Sequence, residues 1–122
     1  MTEHSLWRFS RAFHRALNER QTDHLESILD ENIDWAIYGP IDMFAFLGPR
    51  HGKRAVLDVV REISGIVNLH RFERESVMLS ENSAASLMRY SLTPAASGQP
   101  ISVRIAIFAT FDAGRLTSLR AV

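Results

Sequence analysis

Cysteine is absent from the 122 residues, lysine occurs once, and 14 basic and 14 acidic side chains cancel to a formal net charge of zero. Without cysteine there is no disulfide framework, no thiolate nucleophile, no cysteine-ligated zinc and no iron–sulfur cluster. The balanced charge supplies no basic field to hold a nucleic-acid backbone, so no nucleic-acid partner is expected. No run approaches the length of apolar chain that a membrane-spanning helix needs. The opening MTEHSLWRFSRAFHRALNER lacks the apolar centre of a signal peptide, and the expected location is cytoplasmic. The five histidines show neither HxH nor HExxH spacing. Neither a metal nor another cofactor is therefore expected.

What is present has ordinary globular proportions, 46% hydrophobic and 23% charged, and the length suits one domain over residues 1–122. There is no internal repeat. Leu6, Phe9, Phe13 and Leu17 recur at helical spacing over about 5 to 20, with Ser5 as the expected N-cap. Asp23 and Glu26 resemble a capping box opening a second helical piece from 23 to 30. Ile33 to Tyr38 reads as a strand, closed by Gly39-Pro40. A loop follows that is unusually apolar, with Met43, Phe44, Phe46 and Leu47. It is expected to fold back as a core flap or pocket wall. Val56, Val59, Val60 and Ile63 mark a third helix from about 53 to 64, with Gly65 as its C-cap.

Runs at 67–79, 84–93, 101–111 and 115–122 then read as strands, and Asp112-Ala113-Gly114 as a tight hairpin with Gly114 at positive φ. In the third run Val103, Ile105, Ile107, Ala109 and Phe111 alternate with Ser102, Arg104, Ala106, Phe108 and Thr110. The expected fold class is α+β, with about three N-terminal helices packed on one side of a curved, mainly antiparallel sheet.

This order, the Phe46–Gly48…Gly52 loop and the Phe-Asp-Ala-Gly-Arg-Leu hairpin at 111–116 together resemble the SnoaL-like branch of the NTF2-like superfamily. These are cone-shaped domains that include ketosteroid isomerases, limonene epoxide hydrolase, polyketide cyclases and scytalone dehydratase. The resemblance covers nearly the whole chain, with Ala45 where the family's loop has proline. It implies the fold and leaves the chemistry open, because one scaffold hosts many activities. Counting along the shared motifs puts the ketosteroid isomerase oxyanion aspartate at Ile107 and its base at Ala36, and no tyrosine precedes Tyr38. All three roles are vacant. The limonene epoxide hydrolase arrangement fares no better: Arg104 is flanked by Ser102 and Ala106, with no carboxylate on its face.

With Ile107 facing the cone interior, the resemblance implies a mostly apolar cavity. Its expected lining is Ala36, Tyr38, Phe44, Phe46, Ser86, Met88, Tyr90, Ile105, Ile107 and Phe111. A solidly packed core is the competing reading of the same alternation. Trp7 and Trp35 read as core. The candidates for acid–base work are His70, Asp34, Glu75 and Tyr38, while His14 lies beside the core-facing Phe13. Arg89, Arg104 and Phe108 fall on the outer sheet face, where relatives commonly form a homodimer; Arg–Glu pairs around Phe108 would suit such a contact. An anion site at the cavity mouth, or plain solvated charge, are the other readings of the two arginines.

Three functions follow as expectations. The first is a small homodimeric protein binding a small hydrophobic or weakly polar molecule. The second is an isomerase, dehydratase or cyclase acting on a polyketide-like or steroid-like ring through non-standard residues. The third is a protein-association module with a filled cone.

Overall fold

The structure, a computed structural model, describes residues 3–39 and 46–122. The elements run α1 (Ser5–Glu19), α2 (Asp23–Ile28), β1 (Leu29–Ile37), β2 (Gly48–His51), α3 (Lys53–Ile66), β3 (Val67–Ser80), β4 (Ser83–Pro94), β5 (Ile101–Asp112) and β6 (Arg115–Ala121). The six strands form one sheet in the order β2-β1-β6-β5-β4-β3. β1 runs parallel to β6, and every other neighbouring pair is antiparallel. The fold is thus α+β, three helices on a mixed, mainly antiparallel sheet in the NTF2-like cone arrangement.

The helix ends differ in detail from the sequence expectation. His4, not Ser5, caps α1: its Nδ1 accepts from the Leu6 backbone N–H at 3.0 Å. A ring nitrogen here takes the place of the usual cap oxygen. Arg20, in the left-handed conformation at φ 59°, ends the helix. Asp23 and Glu26 lie in the first turn of α2 without making a capping box, and Thr22 precedes them with no side-chain cap bond. α3 continues through Gly65 to Ile66 and gives way directly to extended chain at Val67. The glycine-rich loop contributes the short strand β2, which pairs with β1.

Leu6, Phe9, Ala12 and Ala16 of α1 and Val56, Leu57 and Val60 of α3 turn one face each toward the sheet and are buried. They meet Leu25, Leu29, Ile33, Trp35, Ala109, Phe111, Leu116 and Leu119 in one continuous core. Phe46, Leu47, Val59 and Ile63 form a second, smaller cluster where the loop returns to α3. Burying a Leu, Ile or Phe contributes roughly 1.5–3 kcal/mol each. Among the described residues, no helix is long and apolar enough to cross a membrane.

Candidate functional site

Helices laid across a concave sheet leave space where their side chains do not reach its inner face. Here that space is a cavity of about 140 Å³. Its floor is the inner face of β4 and β5: Ser86, Met88, Tyr90, Ile105 and Ile107. β3 adds Leu69 and Arg74, β1 adds Trp35 and Ile37, and α1 closes it with Phe9, Ser10, Phe13 and His14. Phe46 and Ile63 complete the wall on the α3 side. The lining surface is almost wholly apolar.

Among the lining residues, β3, β4 and α1 bring four polar side chains into a chain of hydrogen bonds. Arg74 Nη2 donates to Ser10 Oγ at 3.0 Å. Ser10 Oγ lies 3.3 Å from His14 Nδ1, and His14 Nε2 lies 3.0 Å from the Tyr90 hydroxyl. In one tautomer Tyr90 donates to Nε2 and Nδ1–H points toward Ser10; in the other both donations reverse. The imidazole is stacked on Phe72, with ring centres 3.8 Å apart and planes 10° from parallel. Arg74 in turn covers the Trp7 ring, its Cζ 4.5 Å from the centroid.

Burial sets the protonation states. Desolvation, aided by the positive charge of Arg74, holds the His14 pKa down at about 4. Desolvation pushes Tyr90 up to about 12, against a smaller opposing pull from Arg74. At neutral pH the site therefore holds a neutral imidazole hydrogen-bonded to a neutral phenol, beside one permanent cation. No cluster of metal-binding side chains occurs among the described residues.

Of the residues expected to line the cavity, Phe46, Ser86, Met88, Tyr90, Ile105 and Ile107 do so. Ala36 and Tyr38 do not. Trp35 and Ile37 take the inner face of β1, so alternation turns 36 and 38 outward; Ala36 is buried on that far side and Tyr38 is 53% exposed. Phe111 packs in the main core, edge-on to His4, outside the cavity wall. Phe44, with Met43, lies outside the described residues.

The four acid–base candidates are all elsewhere. Asp34 faces outward and accepts from His51 Nδ1 at 2.8 Å. His70, at a bulge in β3, is exposed and hydrogen-bonded to Thr93 Oγ1 at 2.6 Å. Glu75 sits on the outer face, where the Arg104 and Arg89 hydrogen bonds hold its carboxyl below the usual range. Arg89, Arg104 and Phe108 share that outer face, Phe108 being 51% exposed.

Ser10 and Arg74 are absent from the sequence expectations, and His14 enters them only as a neighbour of the core-facing Phe13. A signal existed for Ser10 and His14: four residues apart on α1, they border the stripe of Leu6, Phe9, Phe13 and Leu17. Arg74 had none, because two bulges in β3 decide which way it points.

The SnoaL-like domain model matches residues 10–119. A crystal structure from Rhodopseudomonas palustris, of a protein provisionally named an isomerase, is 66% identical. It aligns with all of this chain and 90% of its own at a TM-score of 0.96. An NTF2-like protein from Burkholderia xenovorans, 16% identical, aligns with all of this chain and 91% of its own at 0.81. A protein from Mesorhizobium loti, provisionally named a SnoaL-like polyketide cyclase, is 18% identical. It aligns with all of this chain and 99% of its own at 0.69. No curated protein matches. The two structures at 16% and 18% identity speak for the fold alone; the domain model matched over residues 10–119 and the 66%-identical structure show the kinship, and the chain belongs to the family of SnoaL-like domains.

Proposed function

We propose that the protein binds one small, predominantly apolar ring molecule in the cone cavity, with the polar end of the ligand at Tyr90, His14 and Arg74. The observation that carries this reading is the cavity itself, walled almost wholly by apolar surface, with the Arg74–Ser10–His14–Tyr90 chain among its lining side chains. An apolar cavity of about 150 Å³ accommodates a benzene ring, so the enclosed space here suits roughly one six-membered ring. A steroid-like or polyketide-like molecule would extend beyond it through the mouth. Native mass spectrometry of gently purified protein tests the reading. A stoichiometric small organic molecule supports it, and protein that stays bare and takes up no ring compound refutes it.

The His14–Tyr90 pair favours a second reading, an isomerase, and the provisional name of the 66%-identical relative supports the same direction. In the tautomer with Nε2–H donating to the Tyr90 oxygen, the phenol O–H is free to donate to a carbonyl oxygen as it becomes an enolate, and the Nδ1 lone pair, on leaving Ser10, takes the proton from the α carbon. Returning that proton to the γ carbon completes a double-bond shift with atoms and charge balanced. Conversion of cyclohex-3-enone to cyclohex-2-enone, followed by ultraviolet absorbance, is the assay. His14→Gln and Tyr90→Phe should each lower kcat/KM by about 100-fold or more. Absence of turnover by the unaltered protein discards the isomerase reading and leaves the binding one.

The outer sheet face is proposed as a homodimer contact. Ala85 lies opposite Phe108 in the strand register, and Glu75 is gripped beside them by both Arg89 and Arg104. The result is an exposed aromatic ring beside a paired arginine–glutamate cluster, a pattern that suits a protein interface.

A further inference from the structure

Arg74 is the one permanently charged side chain among the described residues of the cavity wall. Cations placed against apolar surroundings are ordinarily matched by an anion. Arg74 has no carboxylate partner among the described residues; its contacts are a serine hydroxyl and an indole face. Its Nε is buried without an acceptor, and so is Nε1 of Trp35, a second side chain of the same wall. Two buried donors on side chains of the wall therefore lack an acceptor, and the half-buried Arg74 guanidinium lacks a counter-anion among the described residues.

The same sheet shows what such a guanidinium edge accepts. On the outer face, Arg104 places Nε and Nη2 each 3.0 Å from the two oxygens of the Glu75 carboxylate. On the inner face the corresponding edge of Arg74 has Nε free and Nη2 on Ser10 Oγ, which can accept a hydrogen bond but carries no charge.

We infer that the cavity's ligand is a monocyclic carboxylic acid, its carboxylate held by Arg74 and its ring by the apolar wall of Phe9, Phe13, Met88, Ile105 and Ile107. This rests on the ligand-binding reading above and names the chemical class that the reading leaves open. A neutral carbonyl would satisfy a donor but leave the charge uncompensated. A two-ring or larger acid would have to extend beyond the cavity through its mouth.

The test is calorimetric titration of the full chain with benzoate, its neutral counterpart benzamide, and toluene. A hydrogen-bonded charge pair should make benzoate bind about tenfold or more tighter than benzamide. Arg74→Met should abolish that preference while keeping toluene binding, and Arg74→Lys, which keeps charge but loses the fork, should weaken it. Arg104→Gln on the outer face should change nothing. If Arg74→Met does not fold, the benzoate-to-benzamide ratio of the unaltered protein and the lysine variant still decide. Benzamide and toluene binding with benzoate no tighter overturns the carboxylate inference and leaves the cavity reading standing. Failure of all three to bind overturns both. A benzoate preference that survives in Arg74→Met removes Arg74 as the anchor.

Discussion

His14 is folded in its neutral form, and that fixes how acid should affect the protein. Its folded pKa of about 4 lies below the ordinary value of 6.5, so between those limits the unfolded chain takes up a proton that the native state refuses. Its contribution to stability is complete above pH 6.5 and is lost as pH falls toward 4, by about 3 kcal/mol in all. Urea unfolding at pH 7, 5.5 and 4.5 should show this loss, and His14→Gln should flatten the slope. An equal slope in the variant would assign the loss to other groups. Glu75, its carboxyl held low by Arg104 and Arg89, also loses stability on acidification, but in a window below the ordinary carboxylate value. The two contributions separate by pH. Removing the Tyr90 hydroxyl with Tyr90→Phe leaves His14 Nε2 without its partner and should cost roughly 1–3 kcal/mol at pH 7, read from the same urea curves.

Among the elements, the β5–β6 hairpin calls for glycine at one position. Gly114 adopts φ 80°, and a Cβ there would also meet Arg8 Nη1 at 3.3 Å. Gly114→Ala should lower stability by about 1–2 kcal/mol, most of it backbone strain, because the arginine tip can move aside. Arg20 presents the converse case: it ends α1 in the left-handed region, and Arg20→Gly should raise stability by up to about 1 kcal/mol in a thermal melt. Both rest mainly on backbone conformation. Spacing and alternation made α1, α3 and the β4–β6 meander legible, since each element buries one face and its period shows which. β4 and β5 keep strict alternation from end to end, so Ser86, Met88, Tyr90, Ile105 and Ile107 could be placed on one face from sequence. β3 could not be read this way. Bulges near His70 and Glu75 shift its register twice, turning Phe72 and Arg74 inward where unbroken alternation from Leu69 turns Arg71 and Glu73 inward. β1 failed for another reason. The resemblance aligned a catalytic position with Ala36, although Ile33, Trp35 and Ile37 carry the apolar period.

For the whole molecule, the exposed Phe108 with its arginine–glutamate rim predicts association through the outer face. Phe108→Asp should convert a dimer to a monomer in sedimentation velocity without loss of helix or strand signal, and an unchanged sedimentation mass would reject this face. The sheet also has a temporal aspect. β1, near the start of the chain, hydrogen-bonds to β6 near its end, and the parallel register sets Trp35 beside Leu119 and Ile37 beside Ala121. The β3–β4–β5 ribbon can assemble from neighbours in sequence, whereas β1 and β2 have no sheet to join until β6 exists. On the ribosome, β1 cannot gain its β6 partner until residues 115–121 emerge from the exit tunnel. Long-range pairing of this kind slows folding and leaves an exposed apolar edge in the interval. The nascent chain, more than the finished protein, is where a chaperone would be needed.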